Sequence, residues 1–301
     1  MVNFIRQSKP ISVFFLLVMV SMFRAVMAQD PMPEAATGPG ALTVRGDRLF
    51  ISARVNGVET VHALLDSGAE MSLIDAGFAN EAGLGTSGSE TAHGTGGTEE
   101  VTFAQGVTLE AAEIALKNQT VAVLDLQELA SRLIGSPVDM IVGRELFDAG
   151  RWFIDIAEGR IEPAGGESDP PGVQLPMQTH YGLQTIPVSL EGHESVQAAF
   201  DLGNGSEVLI GADYAERLGL LAAERIVGQK AGGGIGGEVV RDLVVLRQLK
   251  IADTIFHDVA AAIDRTDRAA DVNVGVRVLR NFRLTVDFPA NAVWLEPISP
   301  P

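Results

Sequence analysis

The sequence contains no cysteine, which excludes a disulfide framework, a thiol nucleophile and a cysteine-ligated metal site. A bacterial lipid anchor needs a cysteine at the processed terminus, so that form is excluded too. Histidine is nearly as scarce: five residues are scattered along 301, with no spacing that suits zinc. Positive charge is also short. Lys and Arg number 22 against 39 Asp and Glu, a formal charge of −17, and a surface of that sign repels phosphate backbones, so nucleic acid is not an expected partner. Beyond residue 28 no apolar run is long enough to span a membrane.

What remains is β-prone and glycine-rich. Hydrophobic residues make up 46% of the chain, enough for a sizeable core, and the 33 glycines punctuate short runs of Val, Ile, Leu and Thr. The expected fold class is mainly β. At the N-terminus, Arg6 and Lys9 precede an apolar run from Ile11 to Met22, followed by the small-residue site Val26-Met27-Ala28. Residues 1–28 therefore read as a secretory signal, which makes the protein secreted or periplasmic. Its removal takes away three positive side chains and leaves a formal charge of −20. An uncleaved segment anchoring the chain in a membrane is the alternative. Residues 29–41 read as a flexible Pro/Gly/Ala leader.

The stretch Val61–Asp75, VHALLDSGAEMSLID, places Asp66 where an apolar strand stops at a turn, with Gly68 free to adopt φ > 0. One Asp-Ser-Gly is commonplace, but VQAAFDLGNGSEVLIG from Val196 puts Asp201 in the same setting 135 residues later. The hairpin glycines Gly57 and Gly192, and the turn glycines Gly68 and Gly203, keep that separation. Ala215-Glu-Arg-Leu-Gly-Leu repeats the short helical stretch Ala79-Asn-Glu-Ala-Gly-Leu, and Gly234-Ile235-Gly236-Gly237 repeats Gly94-Thr95-Gly96-Gly97. Val274-Gly275 answers Val142-Gly143, and a closing hairpin with Trp294 answers one with Trp152. Repeats in constant order with small drifts in offset are the mark of a duplicated unit. The expected organisation is an N-terminal unit at 42–163, a Gly/Pro-rich linker at 164–176 and a C-terminal unit at 177–301.

These motifs resemble the retropepsin-like aspartic proteases, in the form with two lobes in one chain. The resemblance implies two β-barrel lobes related by a pseudo-twofold axis and a catalytic pair, Asp66 and Asp201, acting without metal or cofactor. It assigns Ser67, Gly68, Ala69, Leu202, Gly203 and Asn204 to the loops that support the pair. Ile141, Val142, Gly143, Val274 and Gly275 would pack under the site, and the glycine-rich turns at 94–97 and 234–237 would be flaps over a peptide or unfolded protein substrate. A chain holding both halves of the site is expected to act as a monomer. In the family, the hydroxyl after each aspartate braces the opposite loop; Ser67 can do this and Leu202 cannot, leaving Asn204 or Ser206 to supply a polar contact or Leu202 to pack between the lobes. Two functions follow: an exported aspartic endopeptidase, or a non-catalytic peptide-binding module on the same scaffold, taking its ligand by strand addition.

Other motifs are weaker. Ala231–Gly237 looks like a phosphate loop but lacks the following Lys-Ser or Lys-Thr and a surrounding βαβ unit. His93 reads as an exposed loop residue, Ser67 as a structural hydroxyl with no nucleophile elbow around it, Trp152 and Trp294 as packing, and Asp155 and Asp287 as paired for structure.

Overall fold

The computed structural model describes residue 38 and residues 40–165, 169–266 and 269–298. The segment expected to be a secretory signal at 1–28, most of the leader and residues 166–168 of the linker lie outside the described residues. The architecture is mainly β, as the composition requires. Eight strands form the first sheet: β1 (Thr43–Arg45), β2 (Arg48–Val55), β3 (Val58–Leu65), β4 (Leu73–Asp75), β5 (Thr86–Gly94), β6 (Gly97–Ala111), β7 (Ile114–Leu124) and β8 (Met140–Val142). Their order is β1-β2-β3-β8-β4-β7-β6-β5.

The β2–β3 hairpin turns at Asn56 and Gly57, with φ of 49° and 87°, which is the left-handed pair that Asn-Gly favours. Along β3 the burial alternates at first and then becomes continuous over Ala63, Leu64 and Leu65, where β3 pairs in parallel with β8 and is covered on both faces. This apolar end points the chain into the turn at Asp66. Helix α1 (Ala76–Glu81) starts three residues earlier than the repeat predicts, because the Asp75 carboxylate caps the amides of Gly77 and Phe78. Gly83, with φ of 67°, lies just beyond its end. Further on, α2 (Gln127–Leu129) runs into a π-helical turn, Ala130–Ile134. Helix α3 (Arg144–Asp148) leads on to β9 (Arg151–Asp155) and β10 (Arg160–Pro163).

The predicted linker is not wholly irregular: its end, Val173–Pro176, is a strand, β11. The second eight-stranded sheet contains β12 (Gln178–His180), β13 (Leu183–Leu190), β14 (Val196–Phe200), β15 (Val208–Gly211), β16 (Ile226–Gly234), β17 (Gly237–Ile251), β18 (Thr254–Asp264) and β19 (Val272–Val274). Its order, β12-β13-β14-β19-β15-β18-β17-β16, repeats that of the first sheet strand for strand. Helices α4 (Ala212–Arg217) and α5 (Val276–Leu279) fall at the positions of α1 and α3.

The closing hairpins are not private to each half. Strands β9, β10 and β11 join β20 (Phe282–Asp287) and β21 (Ala292–Pro297) in one five-stranded sheet, ordered β10-β9-β20-β21-β11. Where β9 meets β20, Asp155 pairs with Arg283 at 3.0 Å and Asp287 with Arg151 at 2.8 Å. Each repeated aspartate thus takes an arginine from the opposite half, and neither takes the other aspartate. Trp152 is buried in the same sheet and donates its indole N–H to Leu146 O at 2.8 Å; Trp294 is buried beneath the Arg151 guanidinium. Both tryptophans are packing residues.

Candidate active site

The two aspartate turns are built alike. Asp66 N–H donates to Val142 O at 3.0 Å, and Asp201 N–H to Val274 O at 3.0 Å. Ala69 O accepts from Arg144 N–H at 2.9 Å, as Asn204 O does from Val276 N–H at 2.8 Å. Gly143 and Gly275 sit where these chains cross. A side chain at Gly143 would come within 2.8 Å of the Met71 and Ser72 backbone, and one at Gly275 would overlap Asn204 O. Ile141–Gly143 and Val274–Gly275 therefore lie against the aspartate turns.

The two carboxyl groups meet. A Cβ placed on Gly203 would overlap the Asp66 carboxyl, and one on Gly68 would stand 3.2 Å from carboxyl atoms of both Asp66 and Asp201. The Asp66 carboxyl thus requires glycine at 203, and the pair crowds Gly68, neither glycine having a positive φ. Asp66 accepts from Gly68 N–H at 2.8 Å; Asp201 Oδ1 accepts from Gly203 N–H at 2.9 Å and Asn204 N–H at 3.0 Å. Removal from water pushes the Asp66 carboxyl up to about 7, the adjacent Asp201 adds to the rise, and the Gly68 and Ala69 amides oppose it. Arg48 lies close enough to feel both carboxylates, while its burial holds the guanidinium below its usual range.

Ser67 carries the link between the turns. Its buried hydroxyl donates to Phe200 O at 2.9 Å and accepts from Leu202 N–H at 2.9 Å. With both partners in place it is a structural hydroxyl, not a nucleophile. Leu202 is wholly buried and packs in the main apolar core. Asn204 does supply a polar contact, but within its own half: its Nδ2 donates to Asn273 Oδ1 at 2.8 Å. Ser206 turns to Glu207, donating at 2.6 Å. Burial pushes the Glu207 carboxyl up, but hydrogen bonds from Lys230 and Ser206 outweigh this and hold it at about 2.

The glycine-rich turns are hairpin tips, β5–β6 and β16–β17, and they touch each other. Gly96 N–H donates to Ile235 O at 3.1 Å. Side chains at Gly94, Gly96 or Gly236 would overlap backbone of the opposite tip, and Gly97, Gly236 and Gly237 have φ of 138°, 90° and 121°. Ile235 packs against the first half's apolar cluster of Leu64, Leu73 and Leu124, whereas Thr95 and His93 are exposed. Two arginines that sequence reading missed clasp these tips. Arg132 donates to Gly232 O at 3.2 Å and Gly234 O at 3.0 Å, and Arg241 donates to Thr95 O at 2.8 Å. Asn273 was also missed; its one signal is a polar residue between Val272 and Val274 in an apolar run.

Residues 51–146 match the family model for aspartyl proteases. A comparison with curated proteins finds no match. A solved structure described as a retropepsin-like aspartic protease from Rickettsia conorii aligns at 15% identity over 41% of this chain and 88% of its own, with a TM-score of 0.34. The matched segment contains Asp66, its supporting turn and Ile141–Gly143.

Proposed function

We propose that the protein is an exported aspartic endopeptidase whose two lobes, related by a pseudo-twofold axis, each contribute one aspartate to a shared site. The observation that carries this is the meeting of the Asp66 and Asp201 carboxyl groups over Gly203 and Gly68. Two carboxylates this close do not both ionise at ordinary pH, so they hold one proton between them. The ionised member takes a proton from a bound water as that water attacks the scissile carbonyl carbon. The protonated member gives its proton to the carbonyl oxygen, forming a neutral tetrahedral diol with no acyl-enzyme. As the diol collapses, the ionised carboxyl takes a proton from one of its hydroxyls and the carbonyl re-forms, the C–N bond breaks, the protonated carboxyl gives its proton to the leaving nitrogen, and the pair keeps a single proton. The turns are fixed at their stems by β8 and β19 and tied together by Ser67, which supports the positional accuracy such a water attack needs. The hairpin tips would close over an extended peptide and exclude bulk water.

The missing hydroxyl at Leu202 favours a second reading, in which the same cleft binds peptide without cutting it. Hydrolysis of an unfolded protein at acidic pH, blocked by a statine-type inhibitor and abolished by Asp66→Asn and by Asp201→Asn, is the expected result for the peptidase. Full activity in either variant would remove the pair, and peptide binding with no cleavage by the wild type would establish the second reading. Export is tested separately, by mass measurement of the N-terminus of the expressed protein, where a start at Gln29 is expected.

A further inference from the structure

Resting on the peptidase reading, we infer that Asn273 makes the aspartate pair asymmetric: it fixes the negative charge on Asp201 and leaves the shared proton, the general acid's proton, on Asp66. Asn273 Nδ2 donates to Asp201 Oδ2 at 2.7 Å. The orientation of this amide is set by backbone groups whose chemistry is unambiguous. Ser206 N–H donates to Asn204 Oδ1 at 2.8 Å, and Asn204 Nδ2 lies 3.3 Å from Glu207 O, so the Asn204 amide can point only one way. Its Nδ2 then meets Asn273 Oδ1 at 2.8 Å, which turns the Asn273 Nδ2 toward Asp201.

The first half has no equivalent donor. In the register of β3 with β8, Leu64 faces Ile141; in that of β14 with β19, Ala199 faces Asn273. The same position is therefore apolar beside Asp66 and an amide beside Asp201. The turn amides lean the same way: the Asp66 carboxyl accepts from Gly68 N–H while Ala69 N–H donates to the Asp66 backbone carbonyl at 3.4 Å, whereas Asp201 Oδ1 accepts from both Gly203 and Asn204 N–H. The charged group facing the pair is Arg48, which acts on both. A donor to a carboxylate favours its ionised form, so Asn273, together with the Asn204 amide, makes Asp201 the base. The upward displacement of Asp66 agrees with this assignment. Asn273 is a positioning residue, since it acts through Asp201.

The test follows the carboxyl carbons of the full chain by NMR, with 13C-labelled aspartate and signals assigned by their loss in Asp66→Asn and Asp201→Asn. In the wild type Asp201 is expected to ionise at lower pH than Asp66; the reverse order overturns the inference whether or not Asn273→Leu folds. In Asn273→Leu, of nearly equal volume, the Asp201 transition and the acidic limb of kcat/KM are expected to move up by about one to two pH units, with KM unchanged. An acidic limb and an Asp201 transition that stay in place in a folded Asn273→Leu protein also overturn it. Because the titration needs no turnover, absence of hydrolysis would defeat the peptidase reading alone, while an unmoved titration would defeat only the role of Asn273.

Discussion

Replacing Ser67 by alanine tests whether one hydroxyl holds the two halves of the site together. The hydroxyl makes two bonds of 2.9 Å, to Phe200 O and from Leu202 N–H, and Ser67, Phe200 and Leu202 are 3%, 1% and 0% exposed. Alanine leaves one buried carbonyl and one buried amide without partners. Each such group costs about 1–3 kcal/mol, and with some local relaxation the pair costs about 2–4 kcal/mol. For a folded body of this size, about 2–4 °C of melting temperature is lost per kcal/mol, so a fall of roughly 5–15 °C is expected by scanning calorimetry. The exposed Ser87, changed to alanine, serves as a control that should melt close to the wild type. Activity should fall by about a hundredfold as well, because the turns that Ser67 joins carry the aspartates. A Ser67→Ala protein that melts within about 2 °C of the wild type would refute this account, since water would then be reaching groups that the fold requires to be dry.

The displacement of Asp66 to about 7 makes stability depend on pH in a stated direction. An unfolded Asp titrates near 4, so the native state is favoured by its extra proton below that pH, and the gain is lost as pH rises through about 7; Asp66→Asn should flatten the slope in urea titrations across this window. The same proton is the acid in the proposed reaction, so hydrolysis should decline as pH passes about 7. Gly203→Ala should keep the wild-type circular dichroism but lose about a hundredfold or more in kcat, since the new methyl occupies the place of the Asp66 carboxyl. Arg132→Ala removes two hydrogen bonds to Gly232 O and Gly234 O, and hydrogen exchange over residues 232–236 should accelerate about tenfold, against no change at the buried strand β14.

The aspartate turns, the hairpin glycines and the core strands were legible because each is encoded locally. Asn56-Gly57 has to turn, and an apolar run ending in Asp-Ser-Gly has to stop. What escaped depends on partners far along the chain. Strand β11 lies in a Gly/Pro-rich segment that lacks any alternation, and it is a strand because β21, more than a hundred residues later, offers an edge from Leu295 to Ala292. Arg132 and Arg241 look like ordinary surface charges until the hairpin tips arrive beside them. Asn273 showed only as a misfit between two valines. A buried polar side chain requires a partner, so the misfit announced that a partner existed but not that it was Asp201, 72 residues upstream.

The two turns differ in how they are braced, and the difference accounts for the departure at Leu202. Were Leu202 a threonine, both turns would be tied across the site by hydroxyls. Here only Ser67 reaches across, while the second turn is tied to its own sheet through Asn204 and Asn273. The second chain of bonds ends on a carboxylate oxygen, whereas the first ends on backbone. A brace made of backbone partners fixes position alone; a brace that ends on Asp201 fixes position and protonation together. Replacing Leu202 by threonine should therefore leave the pH profile where it is, since the new hydroxyl would meet backbone groups, whereas changing Asn273 should move the profile.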